Sequence, residues 1–453
     1  MMLRLLLVLV CIAGSIACRQ NNIKHSEGVQ PSVSPENYIR IDEPIVWHPA
    51  WSKENKVVVQ WLAEPDQLHP TNGVSNAKNE LFIYLHTFLV LVNLQTQELT
   101  PVLAARLPDI SSDGKELTFQ IREQARWDDG SPITSHDVEF TIKAGKCLLT
   151  DNAHQKALWA NVRTMKHGND LRTFTIRMKK PYIHNVAMWS DLAIIQKKFY
   201  DPEGLLDAFT IEQMEDSASV HLPQVKKWAE EFNSGRFSRD IRYISGAGLY
   251  RLTAWDAGQS LTLTKKETHW SDGIRGLYFN ARPEKIIFRI IRDPHAAMLD
   301  LLALQSDVSL SLSTRHLLQL REDSLFNRHY HSHFTDTYFY TYAAMNNRPE
   351  IAGRKKLFDQ TAVRKAMAWL TPVEQMNRII NKGLNKRMIG PVSFLKKDFN
   401  KELKPIPYDP VRAARYLAMA GWTDSDGNRI LDKTENGIKT EFEFDLMYLT
   451  TAP

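Results

Sequence analysis

Leu117-Thr118-Phe119-Gln120-Ile121-Arg122, then Trp127-Asp128-Asp129-Gly130-Ser131-Pro132, then Thr134-Ser135-His136-Asp137 form the stretch on which the fold turns. The first six residues alternate apolar with polar, the pattern of a strand with one buried face. The next six predict a tight turn, in which Gly130 takes the awkward backbone and Pro132 fixes the exit. Thr134 stands as the N-cap of a helix over Val138 to Ala144, and Asp137 is placed to meet the partial positive charge at its start. Trp127 and Asp129 are read as fixing this turn and cap rather than as binding groups. The local order is therefore strand, turn, helix.

Working outward, the same alternation of element types recurs. Val57 to Leu62 is a short β-rich run that ends at Glu64-Pro65, and Asp66 to Asn76 is its loop, with Pro70, Asn72 and Gly73. Gly248 to Ala254 and Ser260 to Lys265 flank Asp256-Ala257-Gly258-Gln259 and predict a hairpin. Ile286 to Ile291 is a strand stopped by Asp293-Pro294, and helical periodicity follows from about His295 to Leu304. Phe339 to Met345 and Phe442 to Tyr448 read as strands. Thr361 to Leu370, Val373 to Asn381 and Pro410 to Ala420 read as helices, the last closed by Gly421. Strands alternating with helices predict a mixed α/β architecture.

The chain has 453 residues, enough for two or three domains and for a large core. Apolar residues make up 43% and charged residues 24%, which excludes a disordered chain and a multi-span membrane protein. With 57 Lys+Arg against 52 Asp+Glu the net charge is +5, spread along the chain, so nucleic acid is not expected as a partner.

Residues 1–17 read as an export signal: Arg4 gives the positive start, Leu5 to Ile12 an unbroken apolar run, and Gly14 to Ala17 are mostly small. Ser15-Ile16-Ala17-Cys18 resembles a bacterial lipobox, which implies lipidation of Cys18; ordinary signal cleavage and a buried cysteine are the alternatives. Residues 18–43 are polar with scattered proline and read as a tether. Once Cys11 leaves with the signal and Cys18 carries lipid, Cys147 has no partner for a disulfide. The expected location is the periplasm or cell envelope of a bacterium, with the membrane engaged through the lipid anchor alone.

Four segments in order resemble the family 5 extracellular solute-binding proteins, the substrate-binding lipoproteins of oligopeptide and dipeptide ABC importers. Leu117 to Lys143 is similar to that family's strand, "DG-x-P" turn and "T-x-x-DV" helix start. Gly246-Ala247-Gly248-Leu249-Tyr250, with the hairpin running to Trp270, is similar to its "GTGPY" and following "YW", without the usual proline. Ile286 to Val308 is similar to the strand and helix that open the second lobe. Asn346 to Pro391 and Tyr408 to Asp424 complete the set, with Val363-Arg364-Lys365-Ala366 for the "VRQAL" helix and Ala414 to Gly421 for the "A-x-x-LL-x-x-AG".

The resemblance implies a two-lobed periplasmic binding protein of the large peptide-binding subclass, with mixed sheets. Lobe I is expected over residues 44–283 with an inserted subdomain, and lobe II over 284–453. Because family members continue past the strand at Phe442 to Tyr448, the resemblance also implies that this is an N-terminal fragment with an incomplete second lobe. The function it implies is capture of peptides in a cleft between lobes and delivery to permease subunits, by a monomer with no cofactor and no catalysis. Candidate ligand-binding residues are Asn72 and Asn76 in the loop after the first strand, Gly246, Ala247 and Gly248 in the turn they form, and Tyr342 with Asn346 at the end of the crossing strand.

Two other readings stand beside this one. On a strand, His329, His331 and His333 would share a face and could hold a transition metal, so a binder of another solute such as a metal chelate is the alternative on the same fold. Asp424, Asp426, Asn428, Asp432 and Glu435 have calcium-loop spacing, but Arg429 takes the glycine position and a hairpin loop is the better reading. No metal is assigned. Gly-x-Ser-x-Gly, His-Glu-x-x-His and phosphate-loop patterns do not occur. A membrane-anchored secreted hydrolase is the alternative from a different class.

Overall fold

The computed structural model describes residues 54–93, 96–310, 312–334, 336, 338, 340–348, 355–396 and 399–447. The signal, Cys18 and the tether lie outside the described residues. The chain divides into two compact units, one over Val46–Leu312 and the other over Ser313–Pro453 together with Met1–Ile45.

In the first unit the chain runs β1 (Lys56–Trp61), α1 (Asn76–Leu85), β2 (Thr87–Phe88), β3 (Val90–Val92), β4 (Leu99–Pro101), β5 (Asp109–Ile110) and β6 (Glu116–Gln120). There follow α2 (Ser135–Lys146), α3 (Ala153–Trp159), β7 (Val162–His167), β8 (Thr173–Met178), β9 (Ala193–Ile194), α4 (Lys197–Tyr200), α5 (Pro223–Phe232) and α6 (Arg236–Arg239). It ends with β10 (Tyr250–Asp256), β11 (Ser260–Lys265), β12 (Lys285–Ile290), α7 (Pro294–Leu302) and β13 (Val308–Ser309).

The main sheet has the order β10-β11-β12-β1-β13. It is mixed: β1 lies parallel to β12 and β13, while β11 is antiparallel to both β10 and β12. The interior strand β1, Lys56-Val-Val-Val-Gln-Trp61, paired on both sides, suits that place because β-branched side chains pack well on a pleated surface. Val59, Trp61, Leu261, Leu263, Ile286 and Phe288 share one core with Leu81 and Leu85 of α1.

The boundary expected between Pro283 and Glu284 falls inside this sheet. β12, expected to open the second lobe, hydrogen-bonds along its length to β1 and β11, and the compact unit extends to Leu312.

The opening stretch of sequence builds a second, antiparallel sheet of order β5-β6-β8-β7. Leu117, Phe119 and Ile121 point inward, and Phe119 sits opposite Phe174 with the rings stacked at 5.6 Å. In the turn, Asp129 Oδ1 accepts from the Ser131 amide at 2.9 Å, and a bridge joins Arg126 to Pro132. Helix α2 follows the predicted cap Thr134 directly, beginning three residues before Val138 and ending two residues after Ala144. Asp137 Oδ2 accepts from the Thr134 amide (2.9 Å), and Oδ1 accepts from the Lys197 amide (3.0 Å). Val138 and Ile142 bury one face of α2 against this sheet. The opposite face, through Phe140 and Ala144, enters a third core with Tyr200, Trp228, Phe232 and Phe237, where Trp228 and Phe232 stack at 4.6 Å. Cys147 is a free, buried thiol at the end of α2.

The second unit holds α8 (Thr314–Leu320), α9 (Ser324–His329), α10 (Thr361–Leu370), α11 (Val373–Ile380), α12 (Pro410–Met419), β14 (Asp432–Glu435) and β15 (Ile438–Glu441). Asp409 caps α12 by accepting from the Arg412 amide at 2.8 Å, with Pro410 in the first turn as such a start favours. Helices α10 and α12 pack through Val363, Trp369, Ala413 and Leu417, and Trp369 meets Tyr416 at 4.5 Å between ring centres. Two expected strands do not form among the described residues. Residues 340–345 and 442–447 are irregular and mostly exposed. A β-rich run becomes a strand only when another strand satisfies its backbone, and none among the described residues pairs with these.

Candidate functional site

The loop after β1 is closed on itself by Asp66, whose carboxylate accepts from the amides of Gln67 and Val74 (3.0 Å each) and from Ser75 Oγ (2.7 Å). Ser75 then caps α1, accepting from the Lys78 amide at 3.3 Å. Beneath the loop His69 is wholly buried. Its Nε2–H donates to the Phe232 carbonyl at 2.6 Å, which leaves Nδ1 to accept from the amides of Thr71 (3.2 Å) and Asn72 (3.1 Å). Burial disfavours the imidazolium and lowers its pKa to about 4. Lys78, also buried, donates to the Asn72 carbonyl and lies 4.7 Å from the Phe82 ring centre; burial lowers its pKa to about 8.

Asn72 is therefore an interior strut. Its Nδ2 donates to Asn233 Oδ1 at 3.3 Å, and Asn233 in turn donates to the Leu149 carbonyl at 2.8 Å. Asn76, the first residue of α1, has its side chain in solvent.

Gly246, Ala247 and Gly248 pack against the other end of α1. The Gly248 amide donates to the Leu85 carbonyl at 3.0 Å. A β-carbon on Gly248 would stand 2.2 Å from the Tyr84 oxygen, and one on Gly246 would stand 2.3 Å from the Leu85 oxygen, so glycine is required by close backbone approach. The Ala247 carbonyl accepts from His269 Nε2 (3.1 Å) and Trp270 Nε1 (3.2 Å). The Gly246 carbonyl accepts from Lys266 Nζ at 2.8 Å, and the same ammonium pairs with Asp128 Oδ1 at 2.5 Å. Lys266 is buried, which lowers its pKa, while Asp128 pulls the other way. His86, beside this junction, has no hydrogen-bond partner for either ring nitrogen among the described residues. Burial lowers its pKa to about 3, with Lys78 and Lys266 adding to the effect.

The two groups of expected ligand contacts in this unit thus sit at opposite ends of a ten-residue helix, about 15 Å apart at 1.5 Å per residue. In the second unit Tyr342 and Asn346 are exposed on irregular chain. The Tyr342 ring lies 5.6 Å from that of Tyr340, and Asn346 Oδ1 accepts from the Arg348 amide at 3.2 Å.

His329 ends α9, and His331 and His333 follow it outside any strand, so the shared face never forms. The three do not bring one ligand atom each to within 4.8 Å of both others. Asp424, Asp426 and Asp432 do converge, but the ammonium of Lys439 lies 2.5 Å from Asp426 and 3.4 Å from Asp432, and Asp424 accepts from the amides of Gly427 (2.8 Å) and Arg429 (3.0 Å). A bridge from Thr423 to Asp432 closes that segment as a hairpin-like loop.

One arrangement was not visible in the sequence. Ser135 Oγ lies 2.7 Å from His167 Nδ1, and His167 Nε2 lies 3.0 Å from Glu139 Oε2. Serine, histidine and carboxylate in this order match the outline of a hydrolytic triad. Ser135 is, however, fully buried at the start of α2, so no acyl group can reach its oxygen and the hydrolase reading gains nothing from it. Next to it opens a cavity of about 500 Å³, lined among others by His136, Glu139, Lys143, Lys197, Phe209 and Glu212. No helix among the described residues is long and apolar enough to cross a membrane.

Among known proteins, the family described as bacterial extracellular solute-binding proteins, family 5 Middle, matches residues 98–452. Protein XP55 of Streptomyces lividans is 27% identical over 217 residues, 48% of this chain and 33% of that protein. The oligopeptide-binding protein AppA of Bacillus subtilis is 22% identical over 396 residues, covering 85% of this chain and 62% of AppA. The nickel-binding periplasmic protein of Escherichia coli is 22% identical over 397 residues, covering 86% and 66%. The structure of AppA in complex with a nonapeptide superposes with a TM-score of 0.59 at 19% identity, over 85% of this chain and 67% of that one. The chain thus spans between one third and two thirds of the length of these curated relatives, and the structural likeness establishes a shared α/β periplasmic binding protein fold.

Proposed function

The chain belongs to the bacterial extracellular solute-binding proteins of family 5, and from that membership we propose that it captures peptides outside the cytoplasmic membrane and delivers them, unchanged, to the permease of an ABC importer. The observation that carries this reading is the likeness to an oligopeptide-binding protein along 85% of the chain, in sequence and in fold alike. A nickel-binding relative matches over a similar length. The chelate reading began from His329, His331 and His333, and these do not converge on a common point, so peptide is the solute we assign.

An extended peptide suits a binder that does no chemistry, because main-chain hydrogen bonds give affinity without reading side-chain identity. Asn76, Tyr342 and Asn346, with side chains in solvent, are the contacts we assign from the sequence; Asn72 and Gly246 to Gly248 serve the framework of the first unit. Cys18 anchors the protein to the membrane through lipid. Thermal-shift titration of the purified protein against pooled tetra- to octapeptides, and in parallel against nickel–histidine chelate, tests the assignment. A saturable rise in Tm with a peptide pool and none with the chelate is expected. A rise with the chelate alone would replace peptide by metal complex on the same fold.

A further inference from the structure

We propose that His136, Glu139 and His167 form a binding site for a divalent transition-metal ion of the zinc and nickel class, at the edge of the cavity beside α2 and independent of whatever solute the protein carries. His136 and Glu139 stand one turn apart on α2, and His167 ends β7. One ligand atom from each lies within 4.8 Å of the other two. A tetrahedral ion with bonds of 2.0–2.2 Å needs ligand atoms about 3.3 Å apart. His167 Nε2 and Glu139 Oε2, at 3.0 Å, are already close to that spacing. The two imidazoles stand 4.5 Å apart between ring centres.

The surrounding groups allow an ion to take the place of the proton now shared by His167 and Glu139. Without an ion, His167 Nε2–H donates to Glu139 Oε2 at 3.0 Å and Nδ1 accepts from Ser135 Oγ–H at 2.7 Å; an ion at Nε2 takes the other neutral tautomer, with the proton on Nδ1 donating to Ser135 Oγ, the kind of partner that metal-bound histidines have. Lys143 Nζ engages the other carboxylate oxygen of Glu139, Oε1, at 3.2 Å, leaving Oε2 for the ion. The nearby Lys197 is neutralised by Asp207 at 2.6 Å. Two imidazoles and one carboxylate select zinc, cobalt, nickel or copper over calcium or magnesium, which favour all-oxygen sets. Three protein ligands leave a position for water or an incoming donor, and His136 and Glu139 both line the cavity. The sequence gives no signature because His167 lies 28 residues from Glu139 on another element.

The test is calorimetric titration of the metal-stripped full chain with Zn²⁺, and a parallel Co²⁺ titration read by visible absorption. One equivalent should bind, with a d–d band from the cobalt form. His136→Ala and His167→Ala should each weaken binding at least tenfold, Ser135→Ala about tenfold, and Glu139→Gln measurably. His331→Ala should leave affinity unchanged. His136 is exposed, so its variant keeps the fold, which far-UV circular dichroism verifies. The proposal is overturned if no saturable equivalent binds, if His136→Ala retains wild-type affinity, or if binding is lost in His331→Ala instead.

Discussion

Replacing Gly248 by alanine tests the close approach that ties the turn to α1. The added β-carbon would lie 2.2 Å from the Tyr84 carbonyl oxygen, 2.5 Å from the Leu85 carbonyl carbon and 2.7 Å from the His86 nitrogen. A carbon normally keeps about 3.3 Å from such an oxygen, so one backbone must retreat by roughly 1 Å. The obstacles are main-chain atoms, which no rotamer change can move. Overpacking of this kind costs about 1–3 kcal/mol. The retreat also breaks the bond from the Gly248 amide to the Leu85 carbonyl, worth about 1 kcal/mol. The expected loss is roughly 2–4 kcal/mol, a fall in Tm of roughly 5–10 °C for a unit of this size. Gly235→Ala is the matched control: it has helical backbone angles and nothing within 4 Å of the new carbon, so it should be neutral or slightly stabilising. Urea unfolding followed by the fluorescence of buried Trp127, Trp159 and Trp189 measures both. Equal midpoints for the two variants would refute the reasoning.

Further outcomes follow from the buried charges and the amino-terminal signal. His69 and His86 have folded pKa values near 4 and 3 against 6.5 when free, so the unfolded chain binds more protons in that window. Stability should be full above about pH 6.5 and fall as pH drops toward 3; His86→Leu should flatten this slope in urea midpoints while changing stability at pH 7 by less than about 1.5 kcal/mol. Lys78, near 8 in the fold and 10.5 when free, should make stability rise from pH 8 to 10.5, a slope absent in Lys78→Met. Asp128→Asn leaves the Lys266 ammonium with the Gly246 carbonyl and should cost about 1–3 kcal/mol in urea, part of it recovered in Asp128→Asn with Lys266→Met. Cys18→Ser should move the protein from the membrane fraction to the soluble one on cell fractionation, and unchanged partitioning would remove the lipid anchor.

What the sequence made legible was local. The alternation at Leu117 to Ile121, the Asp129 turn and the Thr134–Asp137 cap involve residues within a few positions of one another, and all three form. Helices α10 and α12 were readable for the same reason, through their periodicity and the Asp409–Pro410 start. Long-range pairing was not legible. Ile286 to Ile290 reads identically whichever unit it joins, and only its pairing with β1, more than two hundred residues earlier in the chain, assigns it to the first. Residues 340–345 and 442–447 have strand propensity but find no partner among the described residues. The candidate contacts show the same limit. Asn72 carries a polar loop signature, yet His69 and Asn233, the latter 161 residues distant, draw it into the interior. Ser135, His136, Glu139 and His167 met through the packing of α2 on β7, a neighbourhood no motif announces.

Native mass spectrometry of the full chain mixed with a defined peptide library measures the central claim most directly, because it weighs the guest while bound and again after release. Capture of one peptide per chain, with the same mass before and after, is the predicted result. Cleaved products in the released fraction, or a protein that retains no peptide at any concentration, would contradict it.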